Sequence, residues 1–101
     1  MPSSHAEGLS NSGVSSIVAP AIEYYARNAK AGANDTFFNA DYAAALLALA
    51  LAQPADAAGH AERRRLLAAA ESSLNRSSTE ARQLERYRFL GRRIAEARAG
   101  P

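Results

Sequence analysis

Three observations predict an all-α fold. Alanine and leucine dominate the 48% hydrophobic fraction, and both enter a helix at little cost in side-chain freedom. β-Branched residues are scarce, which removes the usual material of strands. Apolar residues recur at three- and four-residue steps through most of the chain after residue 17, the spacing of one helix face. Four such segments with short turns between them predict a four-helix antiparallel bundle or stacked helical hairpins.

At 101 residues the chain has the length of a single domain, long enough to form a core without metal or disulfide. The opening "MPSSHAEGLSNSG" has no basic or apolar leader pattern, so it predicts no secretory signal. Its serine and glycine content predicts a disordered tail over residues 1–14, followed by one helical domain over 15–101. There is no cysteine, which excludes disulfides, thiolate catalysis and cysteine-based zinc sites, and fits a cytoplasmic location.

The first helix is expected to start between Ile17 and Pro20, because proline suits a first turn. Ile17, Val18, Ala21, Ile22, Tyr25 and Ala29 recur at helical spacing. Gly32 is the expected residue just past its end, with Arg27 and Lys30 near the negative pole of the helix dipole. "AGAND" then reads as a turn.

The second helix holds "YAAALLALALAQP", Tyr42 to Pro54. Either Asp35 or Asn39 is its expected N-cap; with Asn39 as cap, Phe38 takes the apolar staple position before it. Pro54 forbids continuation and biases Gln53 away from helical dihedrals. The eleven apolar residues from Tyr42 to Ala52 are bounded by Asp41 and Gln53, too short a run for the roughly twenty residues of a bilayer span. On a helical wheel Tyr42, Leu46 and Leu49 share one side, Leu47 and Leu51 a second. Ala44, Ala45, Ala48 and Ala52 fill the remaining arc, which suits close approach by another backbone. A helix apolar all round is expected to be buried all round, and three neighbouring helices barely suffice to cover it. That mismatch points to a second protein chain, a copy of itself first.

The third helix is expected from about Ala57 to Leu74, with Asp56 as N-cap. Gly59 near its start suggests that the regular part begins at His60. Leu66, Leu67, Ala70 and Leu74 form its apolar side, while "HAERRR" is solvated. Ser77 followed by Glu80 matches a capping box and predicts the start of a fourth helix. There Ala81, Leu84, Tyr87, Gly91 and Ile94 repeat at helical steps, flanked by Leu90, to about Ala97.

The run "ADYAAALLALALAQPADAAGHAERRRLL" resembles the second helix and turn of a tetratricopeptide repeat, and "RFLGRRIAEA" resembles a first helix of one. The proline comes about three residues early and no self-similarity at a period of about 34 residues is present. What the resemblance implies is a helical hairpin; it carries no binding residues to this chain.

Charge is uneven. Residues 1–59 carry two basic and five acidic side chains, net −3, and residues 60–101 carry ten and five, net +5. Eleven of the twelve basic residues are arginine.

No nucleophile elbow, P-loop or dinucleotide glycine pattern is present, so an enzyme is not expected. No cofactor and no metal are expected either, since His60 and Glu62 lie on different helix faces. Asp35, Asp41, Asp56 and Glu80 are explained by helix starts.

Two binding readings remain. Arg63 to Arg65, Arg76, Arg82, Arg86, Arg88, Arg92 and Arg93, with "RYRF", could meet nucleic acid, but Glu85 and Glu96 at three- and four-residue steps from Arg88 and Arg92 suggest an ion-paired, solvated face. Phe89 points instead to a protein. It falls roughly 140° from Leu84 at about 100° per residue, among charged side chains, and aromatic residues beside arginines favour interface hot spots. The expectation is a small protein–protein interaction module, of the adaptor, accessory-subunit or chaperone-like kind, that associates with itself. The expected contact residues are Phe89, Arg86, Arg93, Arg82, Leu47 and Leu51. A nucleic-acid binder using the arginine-rich C-terminal helices is the alternative, and a membrane partner is not expected.

Overall fold

The computed structural model describes residues 18–32 and 35–100. The expected tail over 1–14, and the first residues of the expected domain, lie outside the described residues. All regular structure among the described residues is helical, with no strand. Residues 18–27 form α1 and Ala29–Gly32 form α2. Then come α3 (Phe38–Leu51), α4 (Ala57–Asn75), α5 (Thr79–Gln83) and α6 (Glu85–Ala99).

The centre of the fold is the α3–α4 hairpin, the most extensive pairing among helices α2 to α6. It matches what the hairpin resemblance implies. Its seam is built from Ala40, Ala43, Leu47 and Ala50 of α3 with Leu66, Leu67 and Ala70 of α4, all buried. Ala40, Ala43, Ala50 and Ala70 are wholly inaccessible, and their small side chains let the two backbones close on each other. The close-approach face is therefore Ala40, Ala43 and Ala50; of the arc expected from the wheel Ala52 is buried, Ala45 and Ala48 are half-buried and Ala44 is exposed. Helix α6 completes the core with Tyr87, Leu90 and Ile94, packing mainly on α4 and less on α3.

Local chemistry sets the boundaries. Asp56 is the N-cap of α4 as expected, its Oδ1 accepting from the Gly59 amide at 2.7 Å. A Cβ on Gly59 would lie 1.9 Å from the Pro54 carbonyl oxygen. The helix starts at Ala57, ahead of His60, and glycine stands there because the incoming turn crosses its first turn. Neither expected N-cap of α3 holds that position. The N-cap is Phe37, without a side-chain bond, while Asp35 accepts from the Phe37 amide at 2.9 Å one step earlier. Asn39 is buried inside the helix, and its carbonyl oxygen accepts from the buried Ser73 hydroxyl at 2.7 Å.

Phe38 is likewise inside the helix and not at the staple position. Its ring occupies the space a Cβ on Gly32 would need, 2.3 Å from the nearest ring atom. Gly32 is thus the buried last residue of α2, with φ outside the left-handed region, and does not lie past a helix end. It is small because an aromatic ring lies on it.

The expected fourth helix is two helices. Leu84, with ψ 136°, is extended and separates α5 from α6. In an unbroken helix at about 100° per residue, Ala81 and Tyr87 would lie about 120° apart. The break resets the phase so that Ala81, Tyr87, Leu90 and Ile94 all reach the core, and Leu84 is left 40% exposed. The cap is Ser78, one residue after the expected Ser77: its Oγ accepts from the Ala81 amide at 3.0 Å and donates to the Thr36 carbonyl at 2.9 Å. Ser77 is buried and its hydroxyl donates to the Leu74 carbonyl, closing the end of α4.

Candidate partner-binding groove

α3 is covered on most of its circumference but not all. Asp41, Ala44 and Leu51 are exposed and Ala48 is half-buried. These four lie within an arc of about 80° at the helical step, so the helix apolar on every side is not buried on every side. The bare strip runs beside α6, where Phe89 is 53% exposed. Between the two helices lies a groove of about 480 Å³. Leu47 and Leu90, both buried, form its floor, and Ala44, Ala48, Leu51 and Phe89 form its walls.

Charge surrounds this apolar trough. Arg86 and Arg93 stand on its α6 rim, with Asp41 and Tyr87 at one end. The Arg86 guanidinium is held: it donates to the Tyr87 hydroxyl at 2.9 Å and lies over the Tyr87 ring at 4.6 Å and the Phe37 ring at 5.6 Å. The Tyr87 hydroxyl donates in turn to Asp41 Oδ1 at 2.6 Å. Burial pushes the Tyr87 phenol up from its ordinary pKa, and the hydrogen bond to Asp41 adds to the shift. Tyr25 stacks on Tyr42 at 5.4 Å and meets Phe38 edge-on at 5.1 Å. Burial, then the charge of Asp41, raises its phenol too.

Arg92 and Arg93 both lie beside the Phe89 ring, 5.7 and 6.0 Å from its centroid. A more open depression of about 670 Å³ also borders Phe89, lined besides by Leu84, Glu85, Arg86 and Arg92. The half-exposed Leu84 therefore extends the apolar surface around the α5–α6 break.

The expected pairing of Glu85 with Arg88 and of Arg92 with Glu96 is not made. Among the described residues the ion pairs are Arg65 with Glu62, and Arg98 with Glu71 at 2.8 Å. Arg82, Arg86, Arg88, Arg92 and Arg93 are exposed and make no ion pair with another described residue.

Of the six residues singled out from the sequence, five line one groove: Leu47, Leu51, Arg86, Phe89 and Arg93. Arg82 is exposed on α5 and lies outside it. Sequence reasoning missed Ala44 and Ala48, which the wheel assigned to helix contact, and Leu84, which it assigned to the core. The signal for the first two was present in Asp41: an acidic residue at one end of the Asp41–Ala44–Ala48–Leu51 strip marks the side that faces water.

Among the described residues no group of three His, Asp or Glu side chains is placed to hold a metal. No described helix is long and apolar enough to cross a membrane. No protein family, curated protein or solved structure matches this chain.

Proposed function

We propose that this chain is a small helical protein–protein interaction module that holds its partner in the α3–α6 groove. The observation that carries the reading is the company Phe89 keeps. A 53% exposed phenylalanine and a 41% exposed leucine, Leu51, flank one apolar trough, with arginines on its rim. Isolated exposed apolar side chains need no explanation, but a contiguous apolar patch rimmed by charge marks an interaction surface. Aromatic and arginine side chains are also the residues that dominate interface energetics.

A second copy of the chain is one candidate partner. Two copies face to face with antiparallel α6 helices would bring Arg86 of one against Arg93 of the other, which works against association at this face. A different protein suits the charge better. The nucleic-acid reading draws on the unpaired arginines, and steep loss of affinity with salt is its signature.

The test is quantitative co-purification from the native cells with the wild-type chain and a Leu51→Ser/Phe89→Ser double variant. Both side chains are substantially exposed, so the variant keeps its fold. A protein retained by the wild type and lost with the variant supports the reading. Identical recovered sets refute it.

A further inference from the structure

We propose that the occupant of the α3–α6 groove is an amphipathic helix of another protein, with an apolar stripe flanked by acidic residues. The inference rests on the interaction-module reading and adds the chemistry of the partner.

Three observations carry it. The first is shape. Arg86 to Arg93 spans two turns of α6, and at about 1.5 Å per residue the groove matches two to three turns of a helix. Such a segment engages a trough through apolar residues at i, i+3 or i+4, and i+7. The alanine wall at Ala44 and Ala48 gives a second backbone room to approach, with Leu51 and Phe89 as grips on either side.

The second is charge. Arg86, Arg92 and Arg93 flank Phe89 and make no ion pair among the described residues, while Glu62 and Glu71 elsewhere are paired. The fold has carboxylates within reach along the sequence, Glu85 and Glu96, and leaves them unused. Guanidinium groups that face no carboxylate within ion-pair distance among the described residues are placed for carboxylates brought by another chain.

The third is rigidity. Arg86 is fixed by the Tyr87 hydroxyl and two aromatic rings, so little freedom remains to be lost when a carboxylate reaches it.

A nucleic acid is the weaker occupant. Glu85 and Glu96 lie among the arginines and oppose a continuous phosphate chain, whereas a peptide can place its carboxylates at the arginines alone. The apolar trough also has no counterpart in a phosphate backbone.

The experiment uses two fluorescein-labelled synthetic helices of about 15 residues, long enough for measurable helicity. They share one leucine stripe; one carries glutamates on its flanks and the other lysines. Binding to the full chain is read by fluorescence anisotropy. The acidic helix is expected to bind at least about tenfold tighter than the basic one, and Phe89→Ala to weaken it about tenfold. Arg86→Glu/Arg93→Glu should invert the preference, a readout that loss of folding cannot imitate.

Equal binding of the two helices, or an unchanged preference in the reversed-charge variant, overturns the proposal. So does an oligothymidylate that displaces the acidic helix at lower concentration, which assigns the surface to nucleic acid. A dimer of the chain that excludes both helices assigns it to a second copy and overturns the proposal as well. If the helices show no preference while co-purification still depends on Leu51 and Phe89, the acidic chemistry falls and the groove reading stands. If co-purification fails too, both fall.

Discussion

Glycine to alanine inside a helix ordinarily stabilises by up to about 1 kcal/mol, because alanine loses less backbone freedom. This fold contains two helical glycines for which the same substitution has opposite signs. At Gly91 in α6, an added Cβ meets Leu74 Cδ2 at 3.3 Å. That is the far end of a flexible side chain and can yield by a few tenths of an ångström. Gly91→Ala should keep most of the propensity gain, about 0.5–1 kcal/mol.

At Gly59 in α4, the new Cβ would stand 1.9 Å from the Pro54 carbonyl oxygen and 2.8 Å from its carbon. Ordinary contact begins at 3.4 Å, so the α3–α4 turn and the first turn of α4 must separate by about 1.5 Å, and neither is a movable side chain. A shift of that size opens the 2.7 Å bond from the Gly59 amide to Asp56, a cap worth about 1 kcal/mol. With the strain of repacking the hairpin, about 2–3 kcal/mol is lost. Over a domain of this size that lowers the melting temperature by roughly 10 °C or more, against a rise of a few degrees for Gly91→Ala. Thermal and urea unfolding followed by far-ultraviolet circular dichroism separates the two. A Gly59→Ala protein as stable as wild type would refute the close crossing of the turn over α4.

Other expectations follow from the core and the polar contacts within it. Leu67 is 1% exposed at the hairpin seam, so Leu67→Ala should cost about 3 kcal/mol in chemical denaturation. Ser73 is fully buried and donates to the Asn39 carbonyl, tying α4 to the first turn of α3; Ser73→Ala removes that bond and should cost about 1 kcal/mol by the same assay. Tyr25 and Tyr87 both titrate above the usual tyrosine value in the folded state. The stability tied to their neutral forms is therefore fully present below about pH 10 and is lost as pH rises through the raised values. Unfolding monitored across that range, with Tyr87→Phe as comparison, should show a shallower alkaline loss in the variant.

The parts of the fold set by local pattern were legible. Asp56, the α4 boundaries and the Leu66–Leu67–Ala70 face follow from capping and period alone. Gly59 and Gly32 read as weak points or punctuation because their reason is a contact with residues elsewhere in the chain: the Pro54 carbonyl and the Phe38 ring. The break at Leu84 has no glycine or proline to announce it. It exists because Ala81 and Tyr87 must both face a core that only the tertiary arrangement defines.

The candidate groove was half legible for the same reason. Phe89, Arg86 and Arg93 sit on one helix, so a wheel finds them. Their juxtaposition with Leu51, and the exposure of Ala44, depend on how α6 lies against α3. The absence of ion pairs at Arg88 and Arg92 was likewise invisible, since sequence spacing alone suggested that Glu85 and Glu96 engage them.

We propose that the α3–α6 groove is where this protein meets its partner. Site-specific photocrosslinking in the native cells tests it most directly. A photoreactive phenylalanine analogue is placed at Phe89, at Leu51, or at the exposed Ala61 on α4 as control. The expected result is one cross-linked protein shared by positions 89 and 51 and absent from position 61. The same products from all three positions, or products at 61 alone, would contradict it.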